Sequence, residues 1–339
     1  MLPPLVMTKV IVILLVTVFV WNPTNALSQA APKKTIYMAV WRGCEEACKS
    51  FIDFFDKRGQ KCNFIIRDAG RNKSKLEGFV DEIKILQPDL LVTWGTSVSK
   101  RLLGKWDSAD PKKHITKIPA VFMIVADPVG AGISKNNRWS GRVNVTGTLN
   151  RAPAETQLQT IRSYKPIKSI GMVYNDNELN AKLSAEAMRK AAEVEGVLFF
   201  VERVKNDRDG SPRIDDIDSA IKRIALKNPE FLYVGSSSFL TKYRERVTSA
   251  ALKHKLPLAA GSEVLVRKAR GLLGVAAKYS SIGRLAAMQA QNIIFRKKIP
   301  GELPIKKLDR YSVLINLTTA KELDLYPPIS LLKISEIIR

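Results

Sequence analysis

Histidine is nearly missing from this chain, whose 339 residues carry two, His114 and His254. Cysteine is almost as scarce, with three, Cys44, Cys48 and Cys62; a metal site is the sharper reading of that cluster, but no histidine lies nearby and no metal is expected. A G-x-S-x-G nucleophile turn, a P-loop and a G-x-G-x-x-G after the first strand are all absent, which removes the commonest sequence marks of hydrolases and nucleotide enzymes. Beyond the N-terminus no apolar run approaches the length of a bilayer span. Acidic residues are few as well: 32 against 55 basic ones, a formal net charge of +23. Such a balance admits nucleic acid, an anionic membrane surface or an acidic ligand as partners. The cations, however, are spread over helix faces (Lys49, Lys57, Lys84, Lys190, Lys227, Lys253) without aromatic interleaving, so no nucleic acid is expected.

What is present begins at the N-terminus. Lys9 precedes the apolar stretch Val10 to Trp21, Pro23 breaks it, and Thr24-Asn25-Ala26 supplies small residues at a cleavage site. This predicts a cleavable signal peptide over residues 1–26 and a periplasmic mature chain. In an oxidising compartment one disulfide is expected among Cys44, Cys48 and Cys62. Cys44 and Cys48, read as lying on one helix face, are a poor pair, so Cys62 is expected to bond to Cys44 or Cys48. Both histidines are expected in solvent.

From Thr35 on, short apolar runs alternate with amphipathic segments. Strands are predicted at 35–41, 63–68, 89–95 and 119–127, with helices at 44–57, 74–86 and 97–103 between them. The alternation restarts with strands at 169–174, 197–204, 231–235, 257–260 and 271–277, and helices at 178–195, 214–226, 239–254 and 281–296. A strand at 311–315 and two short helices end the chain. Strands separated by helices imply βαβ crossovers and parallel sheets, hence an α/β fold of two Rossmann-like lobes. The Gly-, Asn- and Thr-rich segment 141–153 fits the crossing between them. Lobe 1 is expected to comprise 33–148 plus about 278–305, and lobe 2 149–277 plus about 306–339.

Open α/β sheets place their ligand sites at the carboxyl ends of strands. The residues there are Trp41 and Arg42, then Trp94, Thr96 and Ser97, then Asp127, held extended by Pro128. In the second half they are Tyr174 and Asn175, Ser236 within a run of serines, Glu263 and Tyr279. Arg42, or the hydroxyls and free N–H groups at Thr96 and Ser97, suits a carboxylate. Asp127 suits an amine, and the aromatics an apolar body. Each residue also has a structural reading, as a core cap, an N-cap or an Asx-turn.

At these positions the sequence resembles the periplasmic ABC transporter substrate-binding proteins that include tryptophan- and tyrosine-binding members. The resemblance rests on IPAVFMIVADPVGAGI (118–133) followed by GRVNVTGT (141–148), SIGMVYNDNE (169–178), AKYSSIGRLAAMQAQNII (277–294) and IPGELPI (299–305). It implies a type I periplasmic-binding fold with hinge strands joining the lobes, near 147–150, 275–280 and 305–311. It also implies a monomer that takes a small-molecule solute to an ABC permease in the inner membrane, without cofactor or catalysis. Thr96, Ser97, Asp127, Tyr174 and Asn175 are the ligand contacts it implies. A ligand-sensing module for a membrane receptor and a secreted cleft hydrolase or transferase are the rival readings.

Overall fold

The computed structural model describes residues 33–339, so the expected signal peptide lies outside the described residues. Five parallel strands form the first sheet: β1 (Lys34–Val40), β2 (Cys62–Asp68), β3 (Leu90–Trp94), β4 (Ala120–Val125) and β5 (Val145–Leu149), in the order β2-β1-β3-β4-β5. Strands β3 and β4 are buried along their whole length, as apolar runs such as AVFMIV require when helices cover both faces. The covering helices are α1 (Glu46–Asp56), α2 (Lys75–Leu86) and α3 (Thr96–Leu103). In α1 the buried positions Ala47, Cys48, Phe51, Phe54 and Phe55 recur at helical spacing and form one apolar stripe.

After β5 the chain passes to a second sheet. In sequence come α4 (Ala154–Tyr164), β6 (Ser169–Tyr174), α5 (Leu179–Val194), β7 (Leu198–Arg203), α6 (Asp216–Ala225), β8 (Leu232–Val234), α7 (Ser238–Lys242), α8 (Arg244–Lys253), β9 (Leu258–Ala260), α9 (Val264–Arg267) and β10 (Leu273–Ala276). Helix α10 (Tyr279–Ile294) then returns to the first sheet, where its buried Ile282, Ala286, Ala290 and Ile293 join the core of β1, β3 and β4. The next segment pairs with β5 through a bridge between Thr148 and Lys306 before the chain crosses again. It ends in β11 (Ser312–Asn316), α11 (Leu317–Glu322), α12 (Ile329–Leu332) and β12 (Ser335–Ile338). The second sheet has the order β12-β11-β10-β9-β8-β6-β7, with buried clusters on its two faces.

Five features differ from the sequence expectation. The disulfide joins Cys44 to Cys48, with their Cα atoms 5.1 Å apart, and Cys62 is a free thiol. Helix α1 starts at Glu46 behind an extended Glu45, so Cys44 sits in the preceding turn and not on a helix face. From that turn it reaches back to Cys48. The segment read as a crossing contains β5, a full member of the first sheet, and β10–β11 is an antiparallel pair in otherwise parallel sheets. The long helix expected at 239–254 breaks at Tyr243 into α7 and α8. His254 is exposed as expected, whereas His114 is half-buried and its Nδ1 accepts the Asp110 N–H at 3.0 Å.

Candidate functional site

The carboxyl ends of β1, β3, β4, β5, β8, β9 and β10 converge on one cavity that opens to solvent. Trp41 and Arg42 enter it after β1, and Trp94, Gly95, Thr96 and Ser97 form the turn from β3 into α3. Ser236, Ser237 and Ser238 approach from the second sheet after β8, and Tyr279 enters at the start of α10. Seven of the residues predicted from sequence therefore meet here: Trp41, Arg42, Trp94, Thr96, Ser97, Ser236 and Tyr279.

Local backbone geometry explains how they meet. Gly95 takes φ +95°, a region closed to most side chains, and its N–H bonds to the Met123 carbonyl at 3.0 Å. A Cβ at Gly95 would lie 3.3 Å from Trp41 Cβ, so the bare backbone also makes room for that ring. On the neighbouring strand, Ile124 has φ +55°, and the β4–β5 register shifts between Phe122 and Val125. A β-branched residue held there marks a bulge that re-aims the strand end, and Ile124 lines the cavity.

Among the described residues, Arg42 is the one charged side chain on the cavity wall. Its side chain is 3% exposed, and it pairs with Glu45 Oε2 through Nη2 at 3.1 Å and Nε at 3.2 Å. The guanidinium carbon stands 5.1 Å from the Trp94 ring centroid. The Trp94 ring in turn meets Tyr279 edge-on at 6.5 Å. Three buried polar atoms of the wall have no hydrogen-bond partner: Trp94 Nε1, Asn150 Oδ1 and Ser262 Oγ. An orphaned buried polar group costs about 1–3 kcal/mol, so three around one cavity ask for a polar occupant.

The other four predicted residues lie outside the cavity lining. Asn175 is fully buried beneath the site, where Ser237 donates to its Oδ1 at 2.6 Å while the same hydroxyl caps Leu240 N at 3.0 Å. Glu263 accepts the Tyr279 N–H at 2.9 Å and Arg267 Nε at 2.8 Å, and so orients the start of α10. Asp127 accepts the Gly130 N–H at 2.8 Å and faces Arg151 at 3.8 Å. Tyr174 packs on the core of the second sheet.

Sequence reasoning missed Asn150, Asn180 and Ser262, which also line the cavity. Asn150 directly follows β5, a strand not recognised as one, and Ser262 is the immediate neighbour of the predicted Glu263. Asn180, in the first turn of α5, donates to the Ser236 carbonyl at 2.9 Å. Beside it the buried Glu178 accepts the Ser238 and Phe239 N–H groups at 2.7 and 2.9 Å, and burial pushes its carboxyl above the usual range. Among the described residues no group of three His, Cys, Asp or Glu could hold a metal ion.

Residues 42–337 match a family model described as ABC transporter substrate binding protein. The tyrosine-binding protein of Clostridioides difficile (strain R20291) is 28% identical over 221 residues, which are 64% of this chain and 61% of that protein. The matched stretch thus spans less than two thirds of that relative's length. Among solved structures, a conserved domain protein of Vibrio cholerae superimposes with a TM-score of 0.78 at 22% identity, covering 91% of this chain and all of the other. An ABC domain of Streptococcus pneumoniae in complex with L-Trp does so with a TM-score of 0.76 at 20% identity, covering 90% of this chain and all of the other. At such identities the likeness carries the fold, two α/β lobes in a type I periplasmic-binding arrangement.

Proposed function

The chain belongs to the ABC transporter substrate-binding protein family, and we propose that it captures a small amino-acid-like or carboxylated solute outside the inner membrane for an ABC importer. The observation that carries this reading is the cavity at the carboxyl ends of both sheets, with three unsatisfied polar atoms on its wall. Trp41, Arg42, Trp94, Thr96, Ser97, Ser236 and Tyr279 are the proposed contacts. Arg42 and the hydroxyls of Thr96 and Ser97 take the charged end, and the aromatic rings take the body. Asn175 and Glu263 hold this wall in place from behind.

Binding is proposed to draw the lobes together about the three chain crossings, a ligand-driven shift between open and closed states. The closed surface is what a membrane permease would read. The apolar N-terminal stretch supports export as a periplasmic protein, and among the described residues no helix is long and apolar enough to cross a membrane.

Native mass spectrometry of the mature protein, followed by thermal-shift screening of amino acids and small carboxylates, tests this reading. A ligand at 100 times its dissociation constant adds about 2.7 kcal/mol of stability and leaves unchanged after release. Recovery of a chemically altered compound would contradict the reading and point to an enzyme.

A further inference from the structure

Resting on the cleft being the solute site, we propose that the solute is an organic anion without a primary ammonium, an aryl or similarly apolar-bodied carboxylate in place of a free amino acid. The charges around the cavity carry this. A zwitterion needs a cation for its carboxylate and an anion for its ammonium. Among the described residues the wall offers Arg42 and no carboxylate.

Four carboxylates that neighbour the wall in sequence or by hydrogen bond are already committed. Glu45 holds Arg42 and is itself 36% exposed, so its charge sits toward water while the guanidinium is enclosed. Glu178 spends its two oxygens on the N–H groups of Ser238 and Phe239. Glu263 spends its own on Tyr279 N and Arg267. Asp127 serves Gly130 N and faces Arg151. An ammonium in this cavity would lie near a buried guanidinium with no free counter-charge, and an unpaired buried charge is strongly unfavourable. The acceptors that the wall leaves unpartnered, Asn150 Oδ1 and Ser262 Oγ, are a neutral amide and a neutral hydroxyl, and neither supplies the negative charge that an ammonium needs. Trp94 Nε1 can only donate, so it wants an acceptor on the ligand.

A neighbouring cavity, which shares Arg42, Thr241 and Tyr279 with the first, extends the pattern. Basic side chains outnumber acidic ones on its wall. Arg71 stands there with φ +65°, its N–H fixed to the Trp41 carbonyl at 2.8 Å and its buried Nε without a partner. Burial, then the nearby charge of Arg42, hold its guanidinium below the usual range. Arg42 and Arg71 thus place like charge on the wall of this neighbouring cavity, which favours an anion over a cation there.

The test is calorimetric titration of the full mature protein with two matched series. One shares an indole body: L-tryptophan, 3-(indol-3-yl)propionate and tryptamine. The other shares a phenol body: L-tyrosine, 3-(4-hydroxyphenyl)propionate and tyramine. In at least one series the propionate is expected to bind at least tenfold more tightly than the amino acid, with no binding of the amine and weaker binding at high salt. Arg42→Gln is expected to lower the propionate affinity at least 30-fold, and Arg71→Gln by a few fold with a shallower salt dependence. An amino acid that binds as tightly as its propionate, or more so, overturns the inference and leaves the solute-binding reading standing. If none of the six binds, the co-purifying compound decides: a carboxylate without an amine supports the inference, and an amine overturns it. No binding and no co-purifying mass overturns the solute-binding reading itself.

Discussion

Gly95 and the cysteines show how single residues shape this cleft. At φ +95° and ψ 151° an L side chain costs about 1–3 kcal/mol, and a Cβ there would also press on Trp41. Gly95→Ala is therefore expected to lower unfolding stability by about 1–3 kcal/mol and to weaken ligand binding further, because Thr96, Ser97 and Trp41 all move. Thermal unfolding and calorimetry of the variant check both. The cysteine pairing has an equally direct test. Alkylation of the denatured, unreduced protein should label one thiol per chain, at Cys62, and label on Cys44 or Cys48 would contradict the pairing. In the native protein that thiol should react slowly, since burial, with Asp56 and Asp89 nearby, pushes it to about 11. Trp41, Arg42, Trp94, Thr96, Ser97, Ser236 and Tyr279 were legible from their places directly after strands. Asp127, Tyr174, Asn175 and Glu263 occupy equivalent places in sequence yet turn toward backbone N–H groups, buried partners or the core. Asp127 and Glu263 turn to partners three and four residues on, Gly130 and Arg267, whereas Asn175 turns to Ser237, far along the chain, which no local pattern records.

At the scale of elements, the packing of α1 on α10 is the most exacting contact. A Cβ at Gly283 would lie 2.1 Å from the Ala47 carbonyl oxygen, and backbone cannot yield as a flexible side chain does. Gly283→Ala should cost about 1–3 kcal/mol of stability by overpacking. It should also disturb Tyr279, which opens α10 at the cavity, and urea unfolding with calorimetry separates the two effects. Most strands were legible because continuous apolar runs such as AVFMIV leave little alternative to a covered parallel strand. β5, with the sequence VTGTL, was not, since its extended form comes from pairing with β4. α4 and β12 escaped for a similar reason: α4 carries few apolar positions, and β12 is an edge strand defined by its pairing with β11. The antiparallel β10–β11 pair follows from the chain's return to the first sheet through α10, which sequence periodicity does not register.

Across the whole molecule, the C-terminal strand is tied to the cleft wall through charge. Arg267 pairs with Glu263, which orients Tyr279, and with Glu336 on β12 at 2.5 Å. The bond from Arg267 holds the Glu336 carboxyl below its ordinary value of 4.5. For an acid so depressed, the stabilisation is complete above about pH 4.5 and fades as the pH falls through the lowered value. The melting temperature of wild type should thus drop between about pH 5 and 3, and Glu336→Gln should flatten that drop while lowering stability at neutral pH. Equal slopes in the two proteins would mean that this ion pair is inert. The two-lobed arrangement itself was legible, because the strand–helix alternation stops and restarts.

The central claim, a solute gripped from both sheets at their strand ends, is tested most directly by a crystal structure of the protein saturated with its tightest ligand. The expected result is a molecule touching Arg42, Thr96 or Ser97 on one side and the serines after β8 on the other. A ligand seated on a single sheet, or away from this cavity, would contradict the account.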